Sequence, residues 1–467
     1  MVKIVTLLLA LILSYSTFAQ ESTTNTLTLD RYGGWQELTF PATGYFRIEQ
    51  TDERFWLVTP EGNAFLSYGI NHIEPKWMKR FYNIDYWARQ YEVTDYSDRG
   101  FHPAFEAKVK EDIQKMGWNT LGCHSSNDYY AQSFIPYVKT VRFVNIHHYQ
   151  PHDASDFPDV FSPAFAAYCD SLAQEKVKPL ADDPYLLGYF MTDCPILTEW
   201  DAAAHDNNIY GRTRPASPTW PNVLRNLGPT DPGKQQYVRF AKDRYRNIGE
   251  FNQVYTSDFG SFDDLLQAEK WRTTTDTLNQ AEQADNFEFL LQILDKRYQI
   301  ETAAIKKYDS HHLILGDKFN GNTDTPEEIL EVAARYFDAI FIQHYAFWDE
   351  LEVYLDKIKR TTGLPIIQGD ASCHVPYENM PNPYGPHCDN QQERIEKVRE
   401  MYYNAFARPD FLGWHWCGWI DSWEVGGQVG KQHGGLQDPF GNFHPVHELL
   451  SDFSQEMYSV AQSNSSP

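Results

Sequence analysis

A closed (β/α)8 TIM barrel of the α/β class is the fold that this sequence predicts, and three observations carry it. Eight short runs are apolar on both faces, as strands of a parallel sheet covered by helices must be. Most are followed by amphipathic stretches with helix punctuation. No Gly-rich phosphate loop follows the first strand, so an open nucleotide-binding sheet lacks its signature. The 467 residues would allow about three domains on length alone. Barrels with long insertions, however, pass ~400 residues as one unit.

Taken in order, residues 1–19 read as a secretory signal: Lys3 is the positive region, Ile4 to Leu13 the apolar stretch, and Thr17-Phe18-Ala19 a small-x-small cleavage site near Ala19. The apolar run is too short to span a bilayer, and no later segment approaches the ~20 apolar residues needed. A secreted or periplasmic location is expected. Residues 20–63 form a flexible lead-in followed by β-hairpins, with β-rich runs at Tyr45 to Glu49 and Phe55 to Val58 broken by turn residues. Residues 64–457 form the catalytic barrel and 458–467 a flexible tail.

The expected barrel strands are 64–70, 120–122, 140–146, 186–190, 313–316, 339–343, 365–368 and 412–416. Ser162-Pro163 opens a helix with an N-cap and an N1 proline, burying Phe165, Tyr168, Cys169, Leu172 and Ala173. Thr325-Pro326-Glu327-Glu328 reads as a capping box. Gly363 closes a helix lined by Leu351, Tyr354, Leu355 and Ile358, and Ile395, Val398, Tyr402 and Phe406 line the helix before the eighth strand. The long interruption between strands four and five, residues 192–311, holds helical segments near 235–255 and 287–308. It reads as an elaborated loop on the active face.

Composition narrows the function. With 42% hydrophobic and 15% aromatic residues the chain can build a large core, which excludes disorder. A formal charge of -24 has the wrong sign for a sequence-independent nucleic-acid binder. Six cysteines are too sparse for a disulfide scaffold. Cys373 and Cys388 are the pair most suited to joining, and Cys169 reads as a core thiol.

Barrel chemistry gathers at the C-terminal ends of strands. Reading past each strand gives Asn71-His72, Cys123-His124, His147-His148, Asp193-Cys194, Asp317, His344-Tyr345, Asp370 and His415-Trp416. Asp193 and Asp370, after strands four and seven, lie across the mouth, where two carboxyl groups can flank a glycosidic bond. The run Gly413 to Trp423 packs four indoles into eleven residues. Trp416 and Trp419 are placed in the pocket to stack on sugar faces, with His415 and Asp421 bonding hydroxyls; Trp414 fits pocket or rim equally. No metal or cofactor is expected, because no C-x-x-C, H-E-x-x-H or D-x-D-x-D-G pattern occurs. No G-x-S-x-G elbow supports a triad.

At these residues the chain resembles agarase-type enzymes related to glycoside hydrolase family 50. The run Phe55-Trp-Leu-Val-Thr-Pro-Glu-Gly-Asn-Ala-Phe-Leu-Ser-Tyr-Gly-Ile-Asn-His72 is similar to that family's entry into its first barrel strand. Leu187-Gly-Tyr-Phe, His312 to Phe319, Pro365-Ile-Ile-Gln-Gly and Gly413-Trp-His-Trp continue the resemblance across most of residues 45–450. It implies a retaining glycosidase with a Glu acid/base after strand four and a Glu nucleophile after strand seven, acting on a galactose-containing or other algal or plant polysaccharide or oligosaccharide. Both glutamates are absent: Asp193-Cys194-Pro195 and Gly369-Asp370 stand there instead. Four readings stay open at this point. Asp370 serves as nucleophile with Asp193 as acid/base; the shorter side chains admit a water and the enzyme inverts; the chain binds carbohydrate without turnover; or the acid is drawn from Glu199, Asp317 or a histidine. For a sulfated substrate, Arg212, Arg214 and Lys431 are the basic residues expected near the mouth.

Overall fold

The protein is described by a computed structural model covering residues 27–463, apart from 53, 127–133, 147–155, 198–218, 273–278, 324 and 424–432. The signal segment, His147, His148, Glu199, Arg212, Arg214 and Lys431 lie outside the described residues.

Strands β1 (Trp35–Thr39), β2 (Arg47–Gln50), β3 (Phe55–Val58) and β4 (Asn63–Phe65) form an antiparallel sheet in the order β1-β4-β3-β2. The chain then enters a closed parallel barrel of β5 (Ser67–Ile70), β6 (Thr120–Leu121), β7 (Tyr137–Thr140), β8 (Leu186–Asp193), β9 (Leu313–Asn320), β10 (Ile340–Gln343), β11 (Ile366–Ala371) and β12 (Phe411–Trp416). β12 pairs with β5 to close it. The expected TIM barrel is therefore the observed fold. The strand expected over 64–70 divides at Leu66: its first part pairs within the antiparallel sheet and its second within the barrel. The third strand lies earlier than the reading of 140–146. Val141, Phe143, Val144 and Ile146 are buried in the loop that follows it, and their burial mimics a strand's apolar run.

Helices α1 (Ile84–Gln90) and α2 (Asp98–Met116) follow β5, and α3 (Pro163–Lys176) follows β7. The insertion after β8 holds α4 (Trp220–Arg225), α5 (Pro232–Arg244), α6 (Ile248–Tyr255), α7 (Phe262–Gln267) and the 29-residue α8 (Gln280–Tyr308), which returns the chain to β9. α9 (Glu327–Ala333), α10 (Trp348–Thr362) and α11 (Gln391–Ala407) come after β9, β10 and β11, and α12 (Val446–Ser463) after β12. Ser162 caps α3 by accepting from the amides of Ala164 and Phe165. Gly363 ends α10 at φ 68°. The expected capping box at Thr325 does not form: Pro326 occupies the cap, and α9 starts without a side-chain bond. α12 runs past residue 457, so the segment expected to be a loose tail begins as helix, with Tyr458 and Ala461 buried.

The core has two parts. One lies between strands and helices. The other fills the barrel interior with Val138, Leu187, Phe190, Leu315, Phe341, Ile367 and Leu412, and is continuous with Tyr32, Phe46, Leu57 and Phe65 of the N-terminal region. The antiparallel sheet thus plugs the N-terminal end of the barrel. Each such side chain contributes roughly 1.5–3 kcal/mol on leaving water. Among the described residues the strand ends that carry the polar groups lie at the opposite, C-terminal end. Among the described residues no helix is long and apolar enough to cross a membrane.

Candidate active site

At that end two carboxylates meet one ammonium. Lys318 Nζ, on β9, lies 2.8 Å from Asp193 Oδ1 on β8 and 3.0 Å from Asp370 Oδ2 on β11. The two gripped oxygens are therefore at most about 5.8 Å apart, the sum of those distances. Lys318 has no exposed side-chain surface. Burial alone would push its pKa down, but Asp193 and Asp370 lift it well above the ordinary lysine value. Burial likewise pushes the Asp370 carboxyl up, and Lys318 with His124 outweighs it to hold the group below its ordinary value. Asn71 Nδ2 donates to Asp370 Oδ1 at 2.7 Å and to the Gly369 carbonyl at 2.8 Å. It fits only because residue 122 is glycine: a Cβ there would stand 1.8 Å from Asn71 Oδ1.

His124 Nε2 lies 3.3 Å from Asp193 Oδ2, and the imidazole is 31% exposed. Its ring stacks on His72 at 4.6 Å, and His72 meets His433 edge-on at 4.0 Å. Burial opposes a charge on His124, yet Cys123 and Asp193 raise its pKa well above the ordinary value. His72 is driven the other way by burial and by the neighbouring His433, His124 and Lys318, so it stays neutral. The Cys417 thiol is raised by burial and by Asp370, and its Sγ lies 4.0 Å from His433 Nε2. His72, His124 and Cys194 adopt φ values of 57°, 60° and 46°, a left-handed backbone that costs non-glycine residues energy and recurs where side chains are aimed for function. Two sets of groups are close enough to hold a cation, His72 with Cys417 and His433, and His72 with His124 and Asp370, each with ligand atoms within 4.8 Å.

The structure thus brings together Asn71, His72, His124, Asp193 and Asp370, while Tyr345 packs edge-on against Tyr384. Other expected site residues go elsewhere. Asp317 faces outward, where it pairs with Arg297 at 2.7 Å and accepts from Tyr298 at 2.8 Å. His415 points into the barrel core, 2.8 Å from Ser67 Oγ, and burial lowers its pKa to about 3. Trp416 is buried in the helix layer against Tyr402 and Arg394, and Trp419 against Phe105, donating to Asp112. Neither ring is open to a sugar. Trp414 stacks on Tyr402 of α11, which settles it as core. His344 packs edge-on against Tyr354 of α10. Asp421 braces the loop after β12 by accepting from Tyr377, His444 and the Gly435 amide. Cys373 and Cys388 are free, buried thiols, not a disulfide, and Cys169 is a core thiol.

Three residues at the site were not read from the sequence: Lys318, Cys417 and His433. Cys417 adjoins Trp416, which was read. Lys318 carried a usable signal in the glycine two positions before it. His433 lies in a loop without periodicity and had none.

A (β/α)8 barrel with polar groups converging on its C-terminal mouth defines a broad class of enzymes. No family model matches the chain. Its sequence is similar to beta-agarase B of Vibrio sp. (strain JT0107), 23% identical over 502 residues that take in 92% of this chain and 50% of the relative. It is also similar to beta-agarase A of the same strain, 22% identical over 80% of this chain and 41% of the relative. The chain spans half or less of the length of these curated relatives. An exo-beta-agarase structure superposes with a TM-score of 0.72 at 17% identity, covering 93% of this chain and 67% of that one. The agarase AgWH50C gives 0.74 at 18%, covering 93% and 68%. The chain is therefore similar to beta-agarases in sequence and shares its fold with agarase structures, in line with the resemblance carried by its motifs.

Proposed function

We propose that this chain is an exported glycoside hydrolase cleaving a glycosidic bond in a galactose-containing polysaccharide or oligosaccharide, with Asp370 and Asp193 as its working carboxylates. The sharing of Lys318 by both carboxylates is the observation that carries the reading. Retaining glycosidases hold their carboxyl groups ~5–5.5 Å apart and inverting ones ~6.5–9.5 Å apart. The upper bound of about 5.8 Å on the gripped oxygens lies close to the retaining range. Asp370 suits the nucleophile. Lys318 and Asn71 each bind one of its oxygens, which keeps it ionised and fixes its direction. The beta-agarase relatives support a galactan substrate, and the apolar leader at residues 1–19 supports export.

The test is reducing-sugar release from agarose and a panel of galactans. Asp370→Asn and Asp193→Asn should each lower kcat by ~100-fold or more while circular dichroism stays native. Survival of most activity in either variant removes that residue from the reading. Binding of the panel without release by the wild type would make the chain a carbohydrate-binding protein instead.

A further inference from the structure

The geometry points to His124, in place of a carboxyl group, as the donor of the proton that the departing glycosidic oxygen requires. This rests on the glycosidase reading above and deepens it. A two-carboxylate mechanism needs one group protonated at the start, and family-type sites arrange this by isolating one carboxyl. Here the buried Lys318 ammonium touches both. A cation at 2.8 and 3.0 Å favours the ionised form of each carboxylate, so neither is set up to bring a proton.

His124 is placed to do so. Asp193 Oδ2, the oxygen that Lys318 leaves aside, faces His124 Nε2. The imidazole keeps 31% of its surface open, against 8% for Asp193 and 4% for Asp370, so it is the most accessible of the three. The groups around it are Cys123 on its own strand end, His72 stacked on one face, Asp370 with a carboxylate oxygen within 4.8 Å, His433 beyond His72, and the Lys139, Arg142 and Lys176 side chains that line a cavity of about 440 Å³ with it. A carboxylate oxygen 3.3 Å from Nε2 favours a proton on the ring. Asp193 then acts as a positioning residue, orienting the ring and stabilising its charge.

The step balances. As the bond from the anomeric carbon to the leaving oxygen breaks, the imidazolium proton passes to that oxygen and an Asp370 oxygen bonds the anomeric carbon, giving neutral imidazole and a glycosyl ester. In the second step a water gives its proton back to His124, its oxygen bonds the anomeric carbon, and the ester bond breaks to restore the Asp370 carboxylate.

The full chain tests this with an agarose-derived oligosaccharide, whose leaving alcohol needs a proton, and 2,4-dinitrophenyl β-galactoside, whose phenolate does not. His124→Gln should lower kcat/KM on the oligosaccharide by ~100-fold or more and leave the aryl substrate within a few fold, whereas Asp370→Asn removes both. Unchanged oligosaccharide turnover, or equal loss on both substrates, overturns the role of His124. Absence of all hydrolysis by the wild type overturns the glycosidase reading itself. Independently of substrate, the His124 ring should titrate above the ordinary histidine value by NMR and drop in Asp193→Asn. A ring already neutral at pH 7 overturns the proposal.

Discussion

Lys318 sets the electrostatics of the mouth. A buried ammonium between two carboxylates is expensive to desolvate, and what makes it tolerable is that each charge has its counter-charge within hydrogen-bond distance. Removing the cation alone leaves two buried anions facing one another. Lys318→Met should therefore destabilise the fold by about 3–5 kcal/mol at neutral pH, read from urea unfolding. One carboxyl of the orphaned pair would then take up a proton, its folded pKa rising above the unfolded value of ~3.9. A group whose folded pKa is raised binds more protons in the native state, so its contribution to stability falls as pH rises between the two values. The deficit of the variant should accordingly be smaller at pH 5 than at pH 8. A deficit that is equal at both, or larger at pH 5, would show that Lys318 is not the counter-ion of this pair. The double variant Lys318→Met with Asp193→Asn, which leaves one carboxylate, should recover part of the loss.

At the scale of the element, β9 explains why Lys318 was missed and Asp317 chosen. Leu313 and Leu315 face the barrel interior, and strict alternation would send residue 317 the same way. Gly316 stands at φ 68°, and the β8–β9 register shifts beside it. The resulting bulge turns Asp317 outward to Arg297 and Lys318 inward to the carboxylates. A Cβ at position 316 would also lie 2.1 Å from the Phe337 ring. Gly316→Ala should thus cost both stability and geometry: a lowered melting temperature, and a fall in kcat larger than any change in KM as Lys318 leaves its place. A fully stable, fully active variant would show that the bulge does not position the site. The same element-level logic marks what the sequence could reveal. Barrel class, strand order and the convergence of Asn71, His72, His124, Asp193 and Asp370 follow from periodicity and strand ends, which are local. Trp416 and Trp419 were misplaced because an indole's role depends on which layer its face meets, and here that layer is α11 and α2. His415 failed for the converse reason: it does point inward, but below the mouth, where Ser67 takes its ring nitrogen.

For the whole molecule, the two ends of the barrel divide the labour, with chemistry at the C-terminal mouth and closure at the N-terminal floor. Arg54 ties the floor together. Its guanidinium donates to the carbonyls of Phe406, Ala461 and Phe411, which end α11, lie in α12 and begin β12, and its plane lies 4.6 Å over Trp56 of β3. Burial lowers its pKa to about 10, against the pull of Asp410, so it remains charged at neutral pH. One residue thereby links the plugging sheet to the last two helices and the last strand, which are far from it in sequence. Arg54→Met keeps the aliphatic volume but leaves three buried carbonyls without donors, at roughly 1–3 kcal/mol for each group left unpaired. The urea midpoint should fall by an amount corresponding to about 3 kcal/mol or more. Because the floor is separated from the mouth by the packed interior of the barrel, kcat and KM of the folded variant should match the wild type. An unchanged midpoint would show that the floor is held by the sheet's apolar plug alone. A fall in kcat at wild-type stability would show that floor and mouth are coupled.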